Sequence, residues 1–538
     1  MKPLFFLLAL AFAQPVYAQV YKEPVKPKLV VGIVVDQMRA EYLQRYAAKY
    51  SDRGFKRMMR EGYHFRNHHF EYFPTYTAPG HASVYTGTGP AHHGIIGNDW
   101  FVEATGKNMY CVGDSTVKTV GANSRNGEMS PENLMANTIT DQLRLSTSFQ
   151  AKVVGISMKD RGAVLPAGHF GQAYWYDESI GGFITSTYYR KELPVWAKSF
   201  NDAKPVDKLL SQDWVTLLPI EQYTESLQDD NPWEGRLRGE DKPVFPHKLP
   251  LLRKLNGPGV LRDSPFGNTL VVDFARAAIE GENLGNNSVP DFLALSFSSP
   301  DYLGHRFGPH SIEVQDTYLR LDLLLGEFFD YLDAKFGKDG YLVFLTADHA
   351  GEDNPGWLAS LGQTVNYFNG PAVVKKLKSH LFTQFGDSLV REWNNQQIYF
   401  DRTAITSKKL DFDAVESETA RFLSRHPGVA AAYTGSALRN GQVNSPLGKF
   451  VQNGFLAQRS GGVTVIFSPG WLEYNRTGTT HGSPWVNDTH VPMLFMGKGI
   501  PNGFSVKRTG ITDIAPTLSM LLGIRLPNAA SGHPMPFE

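Results

Sequence analysis

Seven side chains in this 538-residue chain are of the types that do metal chemistry: Asp36, Thr77, Asp301, His305, Asp348, His349 and His481. Carboxylates and imidazoles are donors for zinc and related divalent ions. Asp301 and His305 are four apart, so on a helical turn they share one face. Asp348 and His349 are adjacent, and in a loop they can serve one ion or two neighbouring ones. Asp36 and His481 add an oxygen and a nitrogen from opposite ends of the chain. An isolated threonine hydroxyl is a poor nucleophile, but beside metal ions its pKa falls and it attacks as an alkoxide. Together the set points to metal-dependent hydrolysis of a phosphate ester. Singly, each Asp or His reads as ordinary surface polarity or a hydrogen-bonded histidine, so the inference depends on distant segments meeting at one place.

That meeting requires a scaffold. Leu29 to Val35 is an unbroken apolar, β-branched run, which reads as a buried strand with Asp36 at its C-terminal end. Lys152–Ser157 reads the same way and is followed by Lys159 and Arg161. Phe292–Phe297 precedes Asp301, and Tyr341–Leu345 precedes the loop Thr346-Ala347-Asp348-His349-Ala350-Gly351-Glu352. Val491–Phe495 reads as a fifth strand, ten residues after His481. Helical spacing covers Ala40–Met59, Pro131–Leu145 and Val314–Phe336. Buried strands alternating with helices predict an α/β three-layer sandwich with a mostly parallel central sheet. In such sheets ligands bind beyond the carboxyl ends of the strands, where the candidate residues repeatedly fall.

The run Thr75-Tyr76-Thr77-Ala78-Pro79-Gly80-His81-Ala82-Ser83 predicts a helix start, with Thr77 as N-cap and Pro79 early in the helix. A helix N-terminus favours an anion. Asn98, in a glycine-flanked turn, has an amide suited to a phosphoryl oxygen, and an Asx turn is its bland alternative. Arg161 is suited to clamping two phosphate oxygens and Lys159 to acting as a point charge. His81, His92, His93, His169, His310 and His490 lie near these motifs and read as supporting or structural rather than as ligands.

Composition narrows the class. At 42% hydrophobic and 20% charged, the chain has enough apolar residues for a large core. The 53 basic and 53 acidic residues leave no overall field to draw a nucleic acid polymer, so a small anionic substrate is the expected partner. Met1–Ala18 reads as an export signal: Lys2, the apolar run Leu4–Ala13, then Val16-Tyr17-Ala18 as the cleavage site. The mature chain would then be residues 19–538, periplasmic or secreted. No cysteine at the cleavage point argues for a lipid anchor, and no later apolar run is long enough to span a bilayer. Cys111, the sole cysteine, forms no internal disulfide and has no neighbouring base in sequence. Residues at about 192–260 read as an insertion and those at about 371–476 as a cap subdomain. No heptad or interface strip speaks to the oligomeric state.

Five motifs together resemble the alkaline phosphatase superfamily: Val35-Asp36-Gln37-Met38-Arg39, Thr77-Ala78-Pro79-Gly80-His81, Gly304-His305, Thr346-Ala347-Asp348-His349-Ala350-Gly351 and Thr480-His481-Gly482. The resemblance covers nearly the whole mature chain and is strongest to the PafA-like periplasmic branch with a threonine nucleophile. It implies two zinc ions, one held by Asp301, His305 and His481 and the other by Asp36, Asp348, His349 and Thr77. It implies that Asn98, Lys159 and Arg161 surround the phosphate oxygens, with Lys159 standing where a third, magnesium site helps the serine-type enzymes. The implied activity is hydrolysis of phosphate monoesters of broad range through a covalent phosphothreonine. Sister phosphodiesterases and nucleotide pyrophosphatases lack the Lys/Arg pair and are the main alternative. A non-enzymatic metal- or phosphate-binding module is the second. Sulfatases need a Cys or Ser where Thr77 stands.

Overall fold

The computed structural model describes residues 26–537. The export signal predicted for Met1–Ala18 lies outside them. A ten-stranded sheet organises the molecule. Its centre is five contiguous parallel strands in the order Tyr341–Thr346, Leu29–Val35, Asp291–Phe297, Val153–Ser157, Gln172–Asp177. The Leu29–Val35 strand is buried at all seven positions, as expected of a strand covered on both faces. Its register sets Val35 against Phe297 and Val34 against Thr346, so three strands end at one level. The outer strands are mixed: Leu494–Gly497 and Gly182–Ser186 run antiparallel to their inner neighbours. Helices, among them Phe266–Gly281 and Ile312–Phe336, pack against this sheet through one large apolar core.

A second, four-stranded sheet is built from Val390–Asn394, Gln397–Phe400, Val463–Phe467 and Val429–Thr434. It has its own apolar core, including Leu377, Leu381, Ile398, Val415 and Val465. Its first hairpin touches the Asp99–Val102 strand, where Asn394 Nδ2 donates to Asp99 Oδ1 at 2.8 Å and Phe101 packs on Tyr399.

Three expected elements come out differently. The helical spacing over Ala40–Met59 resolves into two short helices, Tyr42–Arg45 and Phe55–Glu61. Between them the Asp322 carboxylate accepts from the amides of Ser51 and Phe55, both at 2.7 Å, replacing helical bonds. The Pro131–Leu145 helix is confined to Ile139–Ser146, where Thr138 and Asp141 form a capping box that fixes its start. The Val491–Phe495 strand is split. His490–Val491 joins a small three-stranded sheet, and Leu494–Gly497 joins the main one. Pro492, with no N–H to give a ladder, lies at the break.

Candidate active site

The parallel register delivers the candidate residues to one edge. Asp36 follows its strand directly, and its amide donates to Phe297 O at 3.0 Å. The next strand leads into the Ser299–Phe307 helix, which carries Asp301 in its first turn and His305 in its last. Asp348 and His349 follow Thr346 and are fully buried. His481 arrives from a loop and is 8% exposed.

These residues form two groups of three, Asp301–His305–His481 and Asp36–Asp348–His349, each with its ligand atoms within 4.8 Å of one another. In the first group His305 Nε2 and His481 Nε2 stand 3.2 and 3.6 Å from Asp301 Oδ1. In the second, His349 Nε2 stands 3.3 Å from Asp36 Oδ1 and 3.7 Å from Asp348 Oδ2. The rings of His349 and His481 stack with centroids 3.5 Å apart, so the groups are neighbours.

Backbone carbonyls set the tautomers. The Nδ1–H of His305, His349 and His481 donates to Thr479 O, Ala350 O and Thr75 O, each at 2.8 Å. Each Nε2 therefore presents a lone pair to its cluster when the ring is neutral, which is how metal-ligating histidines are usually held. Asp36 Oδ1 and Asp348 Oδ2 are buried with no hydrogen-bond donor, although His349 Nε2 is close to both. Orphaned carboxylate oxygens facing imidazole lone pairs fit divalent cations of the nitrogen- and oxygen-accepting kind.

The electrostatics describe an acidic pocket balanced by few cations. Burial, with the charges of Asp301 and Asp348, raises the Asp36 pKa. Burial also acts to raise Asp301, but His305, Lys159 and His481 outweigh it and hold that carboxyl well below its usual range. Burial lowers His349, yet Asp348 and Asp36 bring it up to about 9. Burial and the neighbouring rings of His349 and His305 push His481 well down. Lys159 Nζ donates to Asp36 Oδ2 at 2.6 Å and Asp301 Oδ2 at 2.5 Å, one residue from each group. The lysine expected at a phosphate thus also bridges the two clusters, and its third N–H remains for an anion.

Thr77 is buried as the first residue of the Thr77–Thr86 helix, and Tyr76, not Thr77, is the N-cap. Its Oγ1 is 3.4 Å from His349 Nε2. Asn98 supplies the missing cap by accepting the Ala78 amide on Oδ1 at 2.9 Å, which leaves its own Nδ2 to donate elsewhere. The helix can come this close because residue 80 is glycine: a Cβ there would lie 2.0 Å from Asp348 O.

Arg161 sits in the first turn of the Asp160–Ala167 helix, with Lys159 as its N-cap. Arg161 Nη1 donates to Tyr110 Oη at 3.0 Å, and that hydroxyl donates to Asp160 Oδ1 at 2.5 Å. Arg161 Nε is buried without a partner. Lys159, Arg161, Trp175, Tyr176, Arg262 and Tyr302 line a cavity of about 210 Å³. Tyr302 also borders a second cavity of about 320 Å³ beside His305 and Tyr474.

Several contributors carry weak signals in sequence. Gln37 adopts φ 62°, donates through Nε2 to Asp301 Oδ1 at 2.7 Å and through its amide to Asp348 Oδ1 at 3.3 Å. Backbone strain of this kind collects at functional sites. His81 lies 3.3 Å from Asp348 Oδ2 and donates its Nδ1–H to Thr77 O at 2.9 Å, so it supports without belonging to either group. This agrees with its reading in sequence as a supporting residue rather than a ligand. Tyr110 and Asp160 had no legible signal. His92, His93, His169, His310 and His490 belong to neither group of three.

Comparison with known proteins agrees with this geometry. The family model for type I phosphodiesterase/nucleotide pyrophosphatase matches residues 30–490. The alkaline phosphatase PafA of Elizabethkingia meningoseptica is 45% identical over 95% of this chain and 94% of its own. Alkaline phosphatase PhoV of Synechococcus elongatus is 44% identical over 94% of this chain and 92% of its own. A Myroides odoratus protein named calcium-transporting ATPase is 46% identical over 95% and 94%. No helix among the residues described here is long and apolar enough to cross a membrane. The crystal structure of wild-type PafA superposes with a TM-score of 0.92, at 45% identity, covering 95% of this chain and 98% of that one. The chain belongs to the type I phosphodiesterase/nucleotide pyrophosphatase family, as a PafA-like member of the alkaline phosphatase superfamily.

Proposed function

We propose that this protein is a periplasmic alkaline phosphatase that hydrolyses small phosphate monoesters of broad range through a phosphothreonine at Thr77. The observation that carries the reading is the place of Thr77 Oγ1, 3.4 Å from His349 Nε2 at a helix start beside two three-residue ligand groups. In this reading Asp301, His305 and His481 hold one zinc ion, and Asp36, Asp348 and His349 with Thr77 hold the other. The catalytic domain is residues 19–538, with the insertion at about 192–260 and the cap at about 371–476.

When bound, two zinc ions would activate the Thr77 hydroxyl and a water and would take up charge on the departing oxygen. The chain itself does the rest. The first turn of the Thr77 helix and the Asn98 amide orient the phosphoryl group. Thr77 gives up its hydroxyl proton to solvent and its Oγ1 forms a bond to phosphorus as the bond to the ester oxygen breaks, the departing oxygen taking a proton from solvent to leave as the alcohol. Water then attacks the phosphothreonine, releasing phosphate and returning the proton to Thr77. Lys159 and Arg161 offset the negative charge of the non-bridging oxygens in both steps. A monoester dianion carries more charge than a diester, so this pair favours monoesters.

A diesterase reading remains the rival, and paired rates on a monoester and a diester with the same leaving group separate the two. Higher kcat/KM on the diester would overturn the proposal. For the nucleophile the variant is Thr77→Ala. It is expected to lose at least about 10³-fold in kcat and to trap no phosphorylated protein at acid pH. Near-normal turnover would refute the role of Thr77.

A further inference from the structure

The second sheet reaches the active centre through the turn that joins Val390–Asn394 to Gln397–Phe400. Asn394 pairs with Gln397, so Asn395 and Gln396 are the two residues of a tight hairpin turn. Both have positive φ, 51° and 59°. A turn of this kind favours Asn followed by Gly, because most other side chains resist positive φ. Asn395 fits that preference and Gln396 does not. Strain kept where glycine would relieve it points to a use for the side chain.

Three consecutive amide side chains of this hairpin grip segments that flank active-site residues. Asn394 Nδ2 donates to Asp99 Oδ1 at 2.8 Å, and Asn395 Nδ2 donates to Asp99 O at 2.6 Å. Asp99 directly follows Asn98. Gln396 Nε2 donates to Gly482 O at 3.2 Å, and its side chain also lies beside the Tyr76 hydroxyl. Gly482 follows His481, and Tyr76 precedes Thr77. The approach is close: a Cβ on residue 97 would lie 2.7 Å from Asn395 Nδ2 and 2.7 Å from Asp99 O, so that position is glycine. The turn is fixed to its own sheet, where Gln396 O accepts from Val465 N at 2.8 Å.

Asn98 needs such a fixed neighbour. It ends an irregular stretch, residues 94–98, that contains Gly94 and Gly97. Groups on loops are held less exactly than groups on helices or strands unless other side chains brace them. We propose that Asn394 and Asn395 are positioning residues for Asn98. By holding Asp99 they set the direction in which the Asn98 amide meets a phosphoryl oxygen, while Gln396 anchors the same turn beside His481. The identity of that anion rests on the phosphatase reading above.

Asn395→Gly deletes the amide and keeps a residue that accepts positive φ, so the turn survives. Asn394→Ala removes the second bond to Asp99 and serves should the first variant misfold. Each is combined with Asn98→Ala in a double-mutant cycle on the metal-loaded protein. The readouts are kcat/KM for 4-nitrophenyl phosphate and the affinity for inorganic phosphate by calorimetry. Asn395→Gly alone is expected to lower both at least about tenfold, as misplacing a substrate-positioning group does. In the Asn98→Ala background the same change is expected to cost less than about twofold, because the group it acts through is gone. A merely structural role would weaken both backgrounds alike. Equal losses in the two backgrounds, or no loss from either hairpin variant, would overturn the proposal. The function reading fails separately: if wild type binds phosphate without hydrolysing the monoester, the phosphate-affinity cycle alone decides the role of the hairpin.

Discussion

Under the proposed function, Arg161→Ala tests whether this side chain separates monoesters from diesters. The guanidinium is aimed by Tyr110 Oη at 3.0 Å, which in turn is anchored to Asp160, and its Nε is buried without a hydrogen-bond partner. Two unit charges 4 Å apart near a protein surface interact by about 4 kcal/mol. A monoester carries one more negative charge than a diester, so its stake in Arg161 is roughly twice as large. Only the part that strengthens in the transition state affects rate, and loss of one such donor typically costs about 10²–10³-fold. A diester, contacting Arg161 through one weaker charged hydrogen bond of roughly 1.5 kcal/mol, should lose about tenfold. The assay is kcat/KM for 4-nitrophenyl phosphate and its methyl diester, wild type against variant, with inhibition by inorganic phosphate as a binding control. The monoester-to-diester ratio should fall at least about tenfold, and phosphate inhibition should weaken with it. Equal losses on both substrates would show that Arg161 does not discriminate by charge.

Other outcomes follow from the same geometry. Removing the ions with a strong chelator should abolish phosphate release, and added zinc should restore it; full activity after verified metal loss would exclude metal-dependent chemistry. Gly80→Ala would place a Cβ 2.0 Å from Asp348 O. It should displace the Thr77 helix and cost about 1–3 kcal/mol of stability, as overpacking does, along with most of the activity; an unchanged melting temperature and rate would contradict the close approach. His93 is buried, accepts the Ile95 amide on Nδ1 at 3.1 Å, and has its pKa pushed down to about 3, chiefly by burial. A base depressed in the folded state contributes stability that is full above its unfolded value of about 6.5 and is lost as pH falls toward 3. The melting temperature should therefore drop between pH 6.5 and 4, less steeply in His93→Gln, and equal slopes would refute this assignment.

The sheet-end strands were legible because each is a run of consecutive apolar residues followed at once by a polar one. Leu29–Val35 with Asp36, and Tyr341–Thr346 with Asp348, carry that signal locally. Where local pattern competes with a distant partner, it misleads. The Asp322 carboxylate interrupts the helical spacing of Ala40–Met59 from about 270 positions away. Pro492 divides what reads as one strand between two sheets. The sequence around Asn98 suits an anion donor, but its use of Oδ1 to cap the Thr77 helix is a tertiary fact.

From the residues alone came the ligand types, the threonine among them, and their positions at strand ends, because donor chemistry and hydrophobic runs are properties of neighbouring residues. Tertiary structure alone decided the rest. It made two groups of the candidate ligands, bridged Asp36 to Asp301 through Lys159, and aimed Arg161 through Tyr110. Each of those contacts is set by strand register and helix packing between segments far apart in the chain, and spacing in sequence says nothing about distance across a sheet.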